Sequence, residues 1–341
     1  MMLKKIAVAL LLPVVLTFLH AEEKKPAKPP EPAFTDPAQA GPDFAVQGEY
    51  VGEFKARDGT AQKLGAQVVA TGHGTFNAYF LSGGLPHEGW DGTSRLESKG
   101  KTETEKTTIE GAISASIETG GALNGQTANG EKFELKKVIR TSPVIGLKPP
   151  EGAVVLFDGT DTGLLDRCFI DDRKLLKSLV PTGGPAGYGP ATKKTYRDFS
   201  MHIEFLTPFV PTGKIGERGN SGVYLQERYE IQILDSFGSP ADPHECGGIY
   251  RQTAESINMT FPPLSWQTYE IDFQAARYDA DGKKTQNAVV SVTHNGVKVH
   301  DKAEIKTKTG SGKPEGPEPL SVMLQSHGYP VFFRNWWILE R

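Results

Sequence analysis

Residues 219–235 read GNSGVYLQERYEIQILD, and they decide the fold because two alternating stretches flank a short polar connection. Both stretches are rich in β-branched and aromatic residues, which predicts two strands joined by a tight turn. In the second strand Ile231 and Ile233 point to one face of the sheet. Glu230 and Gln232 point to the other face. The sequence therefore predicts a carboxylate and an amide side by side, opposite the apolar core.

The polar row has a structural interpretation as well as a functional one. Asp235 follows Glu230 by five residues, so it joins the row only if a bulge at the strand end turns it back. An ordinary half-solvated sheet face has the same alternation of polar and apolar residues. From this strand alone, a solvated face and a catalytic face both stay open.

Composition indicates an all-β protein with two domains. The 341 residues can form two hydrophobic cores. With 38 Gly, 24 Pro and many alternating runs, the chain has the turns that an all-β fold needs, and it has no long helical pattern. The formal net charge of -3 gives no electrostatic reason for nucleic acid or an anionic membrane as partner. A neutral or weakly polar ligand fits better.

The order of composition along the chain predicts its layout. Residues 1–21 have the positive, apolar and small-residue order of a secretory signal peptide, and the apolar run is too short for a preferred membrane span. We therefore expect a secreted or periplasmic protein with no membrane span in its mature form. Residues 22–43 are rich in proline and predict an extended linker. Residues 44–146 predict a small all-β meander or barrel of unknown role, and residues 147–341 predict an antiparallel β-sandwich.

The chain has two cysteines, Cys168 and Cys246. In an oxidising compartment they could form one disulfide, and as buried side chains they could equally be two free thiols. Their spacing does not predict a metal site.

Eight short blocks in the second domain carry a family resemblance. They are LFDGT at 156–160, GNSG at 219–222, YEIQILD at 229–235, GGIY at 247–250, WQTYE at 266–270, HNGVKV at 294–299, LQSHG at 324–328 and FRN at 333–335. In this order they resemble the 3-keto-disaccharide hydrolase family, also described as 3-keto-glucoside 1,2-lyase and 3-keto-2-hydroxy-glucal hydratase. The resemblance implies a concanavalin A-like jelly-roll sandwich and a sugar substrate oxidised at its third carbon. It does not extend to residues 44–146.

Such a substrate would need a base, a group that stabilises an enolate and an acid for the departing oxygen. A ketone at C3 acidifies the hydrogen on C2, so that loss of this proton lets the group on C1 leave. Glu230 is the first candidate for the base because it lies on the polar face. His327 and Arg334 are candidates to stabilise charge, and Asp235 is the candidate for a second acid or base. His327 could also be a turn histidine, and Arg334 could pair with a structural carboxylate.

Four further polar residues in the matching blocks are candidates to bind the sugar: Asn220, Gln232, Tyr250 and Gln325. The GNSG block that contains Asn220 is also a ready-made turn, so its structural interpretation stays open. No cofactor is established by the sequence. A divalent cation could stabilise an enolate, with carboxylates and His327 as ligands, but no ligand spacing identifies a metal site.

Two other functions fit the same pattern. A retaining endo-glucanase of the laminarinase type carries Glu-x-Asp-x-x-Glu on one strand, where this chain has Glu230, Gln232 and Asp235. Retaining hydrolysis needs two carboxyl groups about 5 to 5.5 Å apart, so the amide at Gln232 and the shorter Asp235 weaken that function. A carbohydrate-binding module without catalysis is the other alternative, because a β-sandwich does not determine function.

Overall fold

The described part of the chain is built almost entirely from β-strands. The structure is a computed structural model, and it describes residues 32–118, 121–178 and 187–341. Within these ranges the helical segments are a 3-10 helix over Pro37–Gln39 and one α-helix, α1, over Pro42–Val46. The predicted all-β fold class is confirmed, whereas the predicted signal peptide lies outside the described residues. No helix in the described ranges is long and apolar enough to cross a membrane.

The first half of the described chain forms a closed antiparallel barrel. Its strands pair in chain order, and the last strand pairs with the first. Tyr50, Phe76, Phe80 and Leu135 are among the buried side chains that fill it. In the described ranges the barrel strands are β1 (Gly48–Lys55), β2 (Ala61–Gly72), β3 (Thr75–Ser82), β4 (Arg95–Glu103), β5 (Lys106–Gly111), β6 (Ser114–Glu118), β7 (Leu123–Gln126) and β8 (Lys132–Val138).

The second half forms two antiparallel sheets packed face to face, the predicted jelly-roll sandwich. In the described ranges one sheet has the order β10-β12-β21-β14-β15, the other has the order β11-β22-β13-β16-β19-β20 with β9 paired to β22, and β17 pairs with β18. The strands are β9 (Val154–Phe157), β10 (Leu165–Asp166), β11 (Leu176–Lys177), β12 (Ala191–Thr192), β13 (Phe199–Leu206), β14 (Ser221–Leu225), β15 (Tyr229–Ile233), β16 (Gln267–Gln274), β17 (Arg277–Tyr278), β18 (Lys284–Gln286), β19 (Ala288–His294), β20 (Val297–Ile305), β21 (Met323–Leu324) and β22 (Phe332–Glu340).

The predicted hairpin is β14 and β15 in the five-stranded sheet. Ile231 and Ile233 are fully buried in the core between the two sheets, as their alternation predicts. Gln226 and Glu227 both have positive φ, near 50°, which is the backbone twist that a tight hairpin turn needs. The opposite face is not half-solvated, because every residue of both strands is buried. Loops from elsewhere in the sandwich therefore cover the polar row.

The described part of the predicted linker, residues 32–43, packs against the rest of the protein where a free spacer was expected, and residues 22–31 lie outside the described ranges. The backbones of Phe34 and Phe209 exchange two hydrogen bonds of 2.9 Å. The ring of Phe44 also contacts the ring of Phe209, with their centroids 5.3 Å apart. Within residues 32–46 the regular elements are short, and Phe34 and Phe44 pack on Phe209 at the junction of the barrel and the sandwich.

The connection between the barrel and the sandwich is also held in place. The predicted boundary at residue 147 falls between the end of β8 and the start of β9. The Gly146 N–H donates to Glu204 Oε1 at 2.6 Å. The Leu147 carbonyl accepts hydrogen bonds from Asn335 and Trp337. Because Glu204, Asn335 and Trp337 face away from the core, the connection crosses the outer face of the seven-stranded sheet.

Both cysteines are free thiols. Cys246 is fully buried, with its Sγ 3.1 Å from the Tyr269 hydroxyl, and Cys168 is partly exposed. Of the two alternatives that the sequence left open, the structure has the unpaired one.

Candidate active site

A polar cleft of about 300 Å³ opens on the face of the five-stranded sheet that is turned away from the core. It brings together six of the eight residues that the sequence analysis proposed for a site. These are Asn220, Glu230, Gln232, Tyr250, Gln325 and His327. They come from four separate parts of the chain, and the fold brings their side chains together in one cleft.

Glu230 is the buried acid of the cleft, with 2% of its surface exposed. Its Oε2 accepts a hydrogen bond of 2.7 Å from the Tyr224 hydroxyl, and its backbone N–H donates to Thr309 Oγ1 at 2.6 Å. Burial raises the pKa of Glu230 to about 7, although the Tyr224 hydrogen bond and the charge of Arg251 both act to lower it. Near neutral pH this carboxyl group can therefore both take and return a proton.

Two glycines leave the space that the carboxyl group of Glu230 occupies. A Cβ at Gly222, on the neighbouring strand, would lie 2.4 Å from Glu230 Oε1. A Cβ at Gly310 would lie 3.2 Å from Glu230 Oε2 and 3.1 Å from the Tyr250 ring. Gly222 belongs to the GNSG block, which the sequence analysis explained as a turn or as part of a binding loop. The contact of Gly222 with the Glu230 carboxyl group is a third reason why position 222 is a glycine.

Two amides in the cleft have free acceptors. Gln232 and Gln325 are 2% and 7% exposed, and neither side-chain Oε1 has a hydrogen-bond partner among the described residues. Their nitrogens are engaged, since Gln232 Nε2 donates to the His244 carbonyl at 3.1 Å and Gln325 Nε2 lies 3.4 Å from the Tyr224 hydroxyl. Buried acceptors without donors are uncommon in native proteins. Hydroxyl groups of a sugar are donors of the right kind to satisfy them.

Two loops build the walls of the cleft around β15. Along one edge, the Gly247 N–H donates to the Gln232 carbonyl and the Tyr250 N–H donates to the Glu230 carbonyl, at 3.0 and 3.1 Å. At the start of β15, the Thr309 N–H donates to the Arg228 carbonyl at 2.9 Å. These backbone bonds fix both walls relative to Glu230, and they explain why its strand is buried on both faces.

Asp235 and Arg334, the other two predicted site residues, are not among the residues that line the cleft. Asp235 follows the end of β15, where Leu234 turns into the core, and it lies buried close to Arg218. Arg334 lies on the outer face of the seven-stranded sheet, with the whole core between it and the cleft. There its Nε donates to Glu204 Oε2 at 2.6 Å and its guanidinium stacks over Trp266. The structural alternative for Arg334, pairing with a carboxylate, is the arrangement found.

Tyr224 and Arg251 also line the cleft, and the sequence analysis missed both. Tyr224 stands directly opposite Glu230 in the hairpin register. A hairpin with a short connection predicts that pair, so the signal was present in the sequence. Arg251 follows Tyr250 with its guanidinium 5.2 Å from the tyrosine ring centroid, and it brings a positive charge near Glu230. No local pattern marks Arg251, because its place depends on the path of the loop.

Glu230 is the one carboxylate among the described residues that line the cleft. Residues 179–186, which are not described, contain no Asp or Glu. Another buried acid, Glu255, has a pKa that burial raises to about 8, but it does not line the cleft. A second catalytic carboxyl group therefore has no candidate in this part of the molecule.

The side chains that line the cleft do not provide a set of ligands that would enclose a divalent cation. The described residues contain no group of three or more His, Cys, Asp and Glu side chains that could hold a metal ion. In the cleft, Glu230 already accepts from Tyr224, and His327 is exposed.

Comparison with known protein families gives a match within the second domain. A family model described as the 3-keto-alpha-glucoside-1,2-lyase-like domain matches residues 152–339. Three solved structures from Parabacteroides distasonis ATCC 8503, each described provisionally as a glycosyl hydrolase, are similar to the chain. The first is 32% identical, with a TM-score of 0.49, and the match covers 56% of this chain and 85% of that one. The second is 18% identical, with a TM-score of 0.40, and the match covers 60% of this chain and 98% of that one.

The third is 22% identical, with a TM-score of 0.38, and the match covers 55% of this chain and 99% of that one. A search of curated proteins found no match. The family match supports a protein of the carbohydrate-active class. The chain belongs to the 3-keto-alpha-glucoside-1,2-lyase-like family, because the family model matches more than half of it. The family resemblance of the eight sequence blocks is thereby confirmed.

Proposed function

We propose that the protein cleaves 3-keto-glycosides by removing the C2 proton and expelling the group on C1, followed by hydration. The observation that carries this proposal is Glu230, the single carboxylate among the described residues that line the cleft, with a pKa that burial raises to about 7. Elimination next to a ketone needs one base, whereas hydrolysis of an ordinary glycoside uses two carboxyl groups. Family membership supports a sugar substrate.

In the first step the Glu230 carboxylate takes the proton from C2, and the C–H electrons pass into an enolate whose negative charge lies on O3. Groups that donate hydrogen bonds or carry positive charge lower the energy of such an oxyanion. Arg251 lines the cleft and carries the charge that the sequence analysis assigned to Arg334. Tyr224 holds the carboxyl group of Glu230 in place through its 2.7 Å hydrogen bond.

In the second step the enolate re-forms the ketone, a double bond forms between C1 and C2, and the bond from C1 to the leaving oxygen breaks. The leaving oxygen needs a proton, and His327 at the exposed rim of the cleft is the candidate donor. Hydration reverses these steps: the water oxygen bonds to C1 and its proton passes to His327, which gave its own to the leaving oxygen, while Glu230 returns a proton to C2. One residue thus acts as base and then as acid, which suits a pKa near neutrality.

The alternatives are weakened by the same observation. A retaining endo-glucanase needs a second carboxyl group close to the first, and the described lining of the cleft contains one. A binding module without catalysis has no need for a buried acid beside two unsatisfied amides, since burying it is unfavourable. These arguments favour an enzyme that acts on an activated sugar.

A deuterium-exchange experiment tests the proposal. Wild-type protein incubated with a 3-keto-α-glucoside in heavy water should cleave it and place deuterium on C2 of the product, because the carboxyl hydrogen of Glu230 exchanges with solvent before it is returned. Glu230→Gln should keep the fold, since the amide is nearly isosteric, and should lower kcat/KM by roughly 10² to 10⁴. The matched control is Glu204→Gln, a buried glutamate on the opposite side of the sandwich, which should keep its activity per folded molecule.

Three results would count against the proposal. Full activity of Glu230→Gln would remove the carboxylate from the chemistry and leave His327 as the next candidate base. Cleavage of an unoxidised β-glucan that depends on Glu230 would favour the glucanase. Binding of glycans without any turnover of 3-keto-glycosides, with or without added metal, would favour the non-catalytic module.

A further inference from the structure

Arg218 joins the barrel to the cleft-bearing sheet of the sandwich. The residue is 3% exposed, and its guanidinium donates to three backbone carbonyls. Nε donates to Gly213 at 2.8 Å and Nη2 donates to Pro211 at 2.8 Å, both in the loop that leads to β14. Nη1 donates at 2.9 Å to Ala70, in barrel strand β2. The Ala70 carbonyl lies where the pairing of β2 with β3 becomes irregular, next to Gly72.

The backbone of Arg218 also joins the two ends of the hairpin that carries Glu230. Its carbonyl accepts a hydrogen bond of 2.9 Å from the Asp235 N–H, just after β15. Two residues beyond Arg218, Asn220 lines the cleft. Ser221 follows and donates through its hydroxyl to the Gln325 carbonyl at 2.7 Å. A displacement of Arg218 would therefore reach Asn220 and Gln325 by short covalent and hydrogen-bonded paths.

The barrel contacts the segments on both sides of the hairpin. Phe209, in the loop before β14, is fully buried in the same hydrophobic cluster as the barrel core. On the other side Gly238 follows β15, and a Cβ there would lie 2.6 Å from Val69 Cγ2 of β2. Arg95 of β4 stacks on the Tyr79 ring at 3.6 Å and donates to the Gly238 carbonyl. Both chain segments that enter and leave the hairpin are thus held by barrel strands.

We infer that the barrel sets the geometry of the cleft and that Arg218 is the positioning residue that links β2 to the Glu230 hairpin. A guanidinium suits this place because its planar fork reaches three carbonyls at once, whereas a lysine ammonium has no such fixed geometry. The kinetic part of the inference rests on the proposed function. The structural part does not, because it concerns the shape of a cleft that exists without substrate.

The test compares three arginine variants of the full chain: Arg218→Lys, Arg95→Met and Arg277→Met. Arg277 is the matched control, because it pairs with Asp198 at 2.6 Å and caps the Ala275 carbonyl, away from the cleft lining and the barrel. Arg218→Lys should raise KM for a 3-keto-α-glucoside by about tenfold, with a smaller fall in kcat. Arg95→Met, a change within the barrel, should raise KM by about threefold, and Arg277→Met should leave KM unchanged. A role in stability alone would reduce the active fraction and leave KM unchanged.

Hydrogen exchange of the ligand-free proteins gives an independent readout. Amides of residues 219–235 should exchange faster in Arg218→Lys and Arg95→Met than in wild type, while amides of β16 and β19 keep their rates. If wild type turns over no 3-keto-glycoside, the proposed function fails and the exchange data still decide this inference. Folded Arg218→Lys with wild-type KM and wild-type exchange would overturn it. If Arg218→Lys does not fold, the same two measurements on Arg95→Met decide.

Discussion

Two buried glutamates on opposite sides of one sandwich have opposite surroundings. Glu230 accepts one side-chain hydrogen bond, from the neutral hydroxyl of Tyr224, and burial raises its pKa to about 7. Burial acts to raise the pKa of Glu204 as well, but hydrogen bonds and charges from its neighbours lower it to about 2. Those neighbours are His202, Asn335, Arg334 and the Gly146 backbone.

The comparison separates a reactive acid from a structural one. Glu204 is 1% exposed and Glu230 is 2% exposed, so contact with solvent at the surface does not distinguish them. The difference lies in how well each negative charge is compensated. A fully compensated carboxylate is a poor base, because its neighbours hold it in the charged form. A carboxylate with one neutral donor exchanges its proton near neutral pH.

The largest effect on stability should come from removing the charge of Glu204. Its lowered pKa means that the folded state favours the carboxylate, so its contribution is present above the unfolded pKa and is lost as pH falls toward 2. At pH 7, Glu204→Gln should lower the free energy of unfolding by roughly 3 kcal/mol. Urea denaturation from pH 7 down to pH 3 measures this. A deficit that stays the same at pH 3 would show that lost packing, and not charge, is responsible.

The same substitution at Glu230 should have the opposite sign. Its raised pKa means that folding favours the protonated acid, so stability is present below the unfolded pKa and is lost as pH rises through 7. Glu230→Gln should therefore raise the free energy of unfolding by roughly 1 to 3 kcal/mol at pH 8.5. Below about pH 4.5 the gain should vanish, since wild type is then protonated in both states. Equal destabilisation by the two substitutions at pH 8.5 would show that the two carboxyl groups do not contribute to stability with opposite sign.

The smallest expected effect is a shift in the pH profile when the Tyr224 hydroxyl is removed. Its hydroxyl lowers the pKa of Glu230, so Tyr224→Phe should move the acidic limb of the kcat/KM profile upward by roughly half a unit to one unit. Activity should fall a few-fold near pH 6.5 and recover at high pH. Tyr229→Phe is the matched control, because that buried hydroxyl in the same hairpin donates to Glu315. A loss of activity at every pH would instead give Tyr224 a direct catalytic part.

Arg334 illustrates why a residue in a matching block need not belong to the site. Its block lies in β22, and strand alternation places it opposite Phe333, which is fully buried in the core. Alternation alone says that Arg334 faces away from the core, and it cannot say on which side of the molecule. Pairing of β22 with β13 decided that, by setting Arg334 beside Glu204 on the seven-stranded sheet. Arg251, from a loop, brings the positive charge to the cleft.

By itself the sequence determined the all-β class, the hairpin and the two faces of β15. These follow from a period of two residues and from turn chemistry, both of which act over short distances along the chain. The pairing of Tyr224 with Glu230 belongs to the same level, because a short hairpin connection fixes the register.

Tertiary structure alone decided that the polar face would be a closed cleft. Backbone bonds from Gly247, Tyr250 and Thr309 bring two distant loops over β15, and this burial is what raises the pKa of Glu230 to about 7. The desolvation of a charge depends on every atom that excludes water from it, and those atoms include some from residues far along the chain, such as Thr309, 79 positions away, and Gln325. No local pattern carries that information, so the sequence could propose the acid and only the fold could make it reactive.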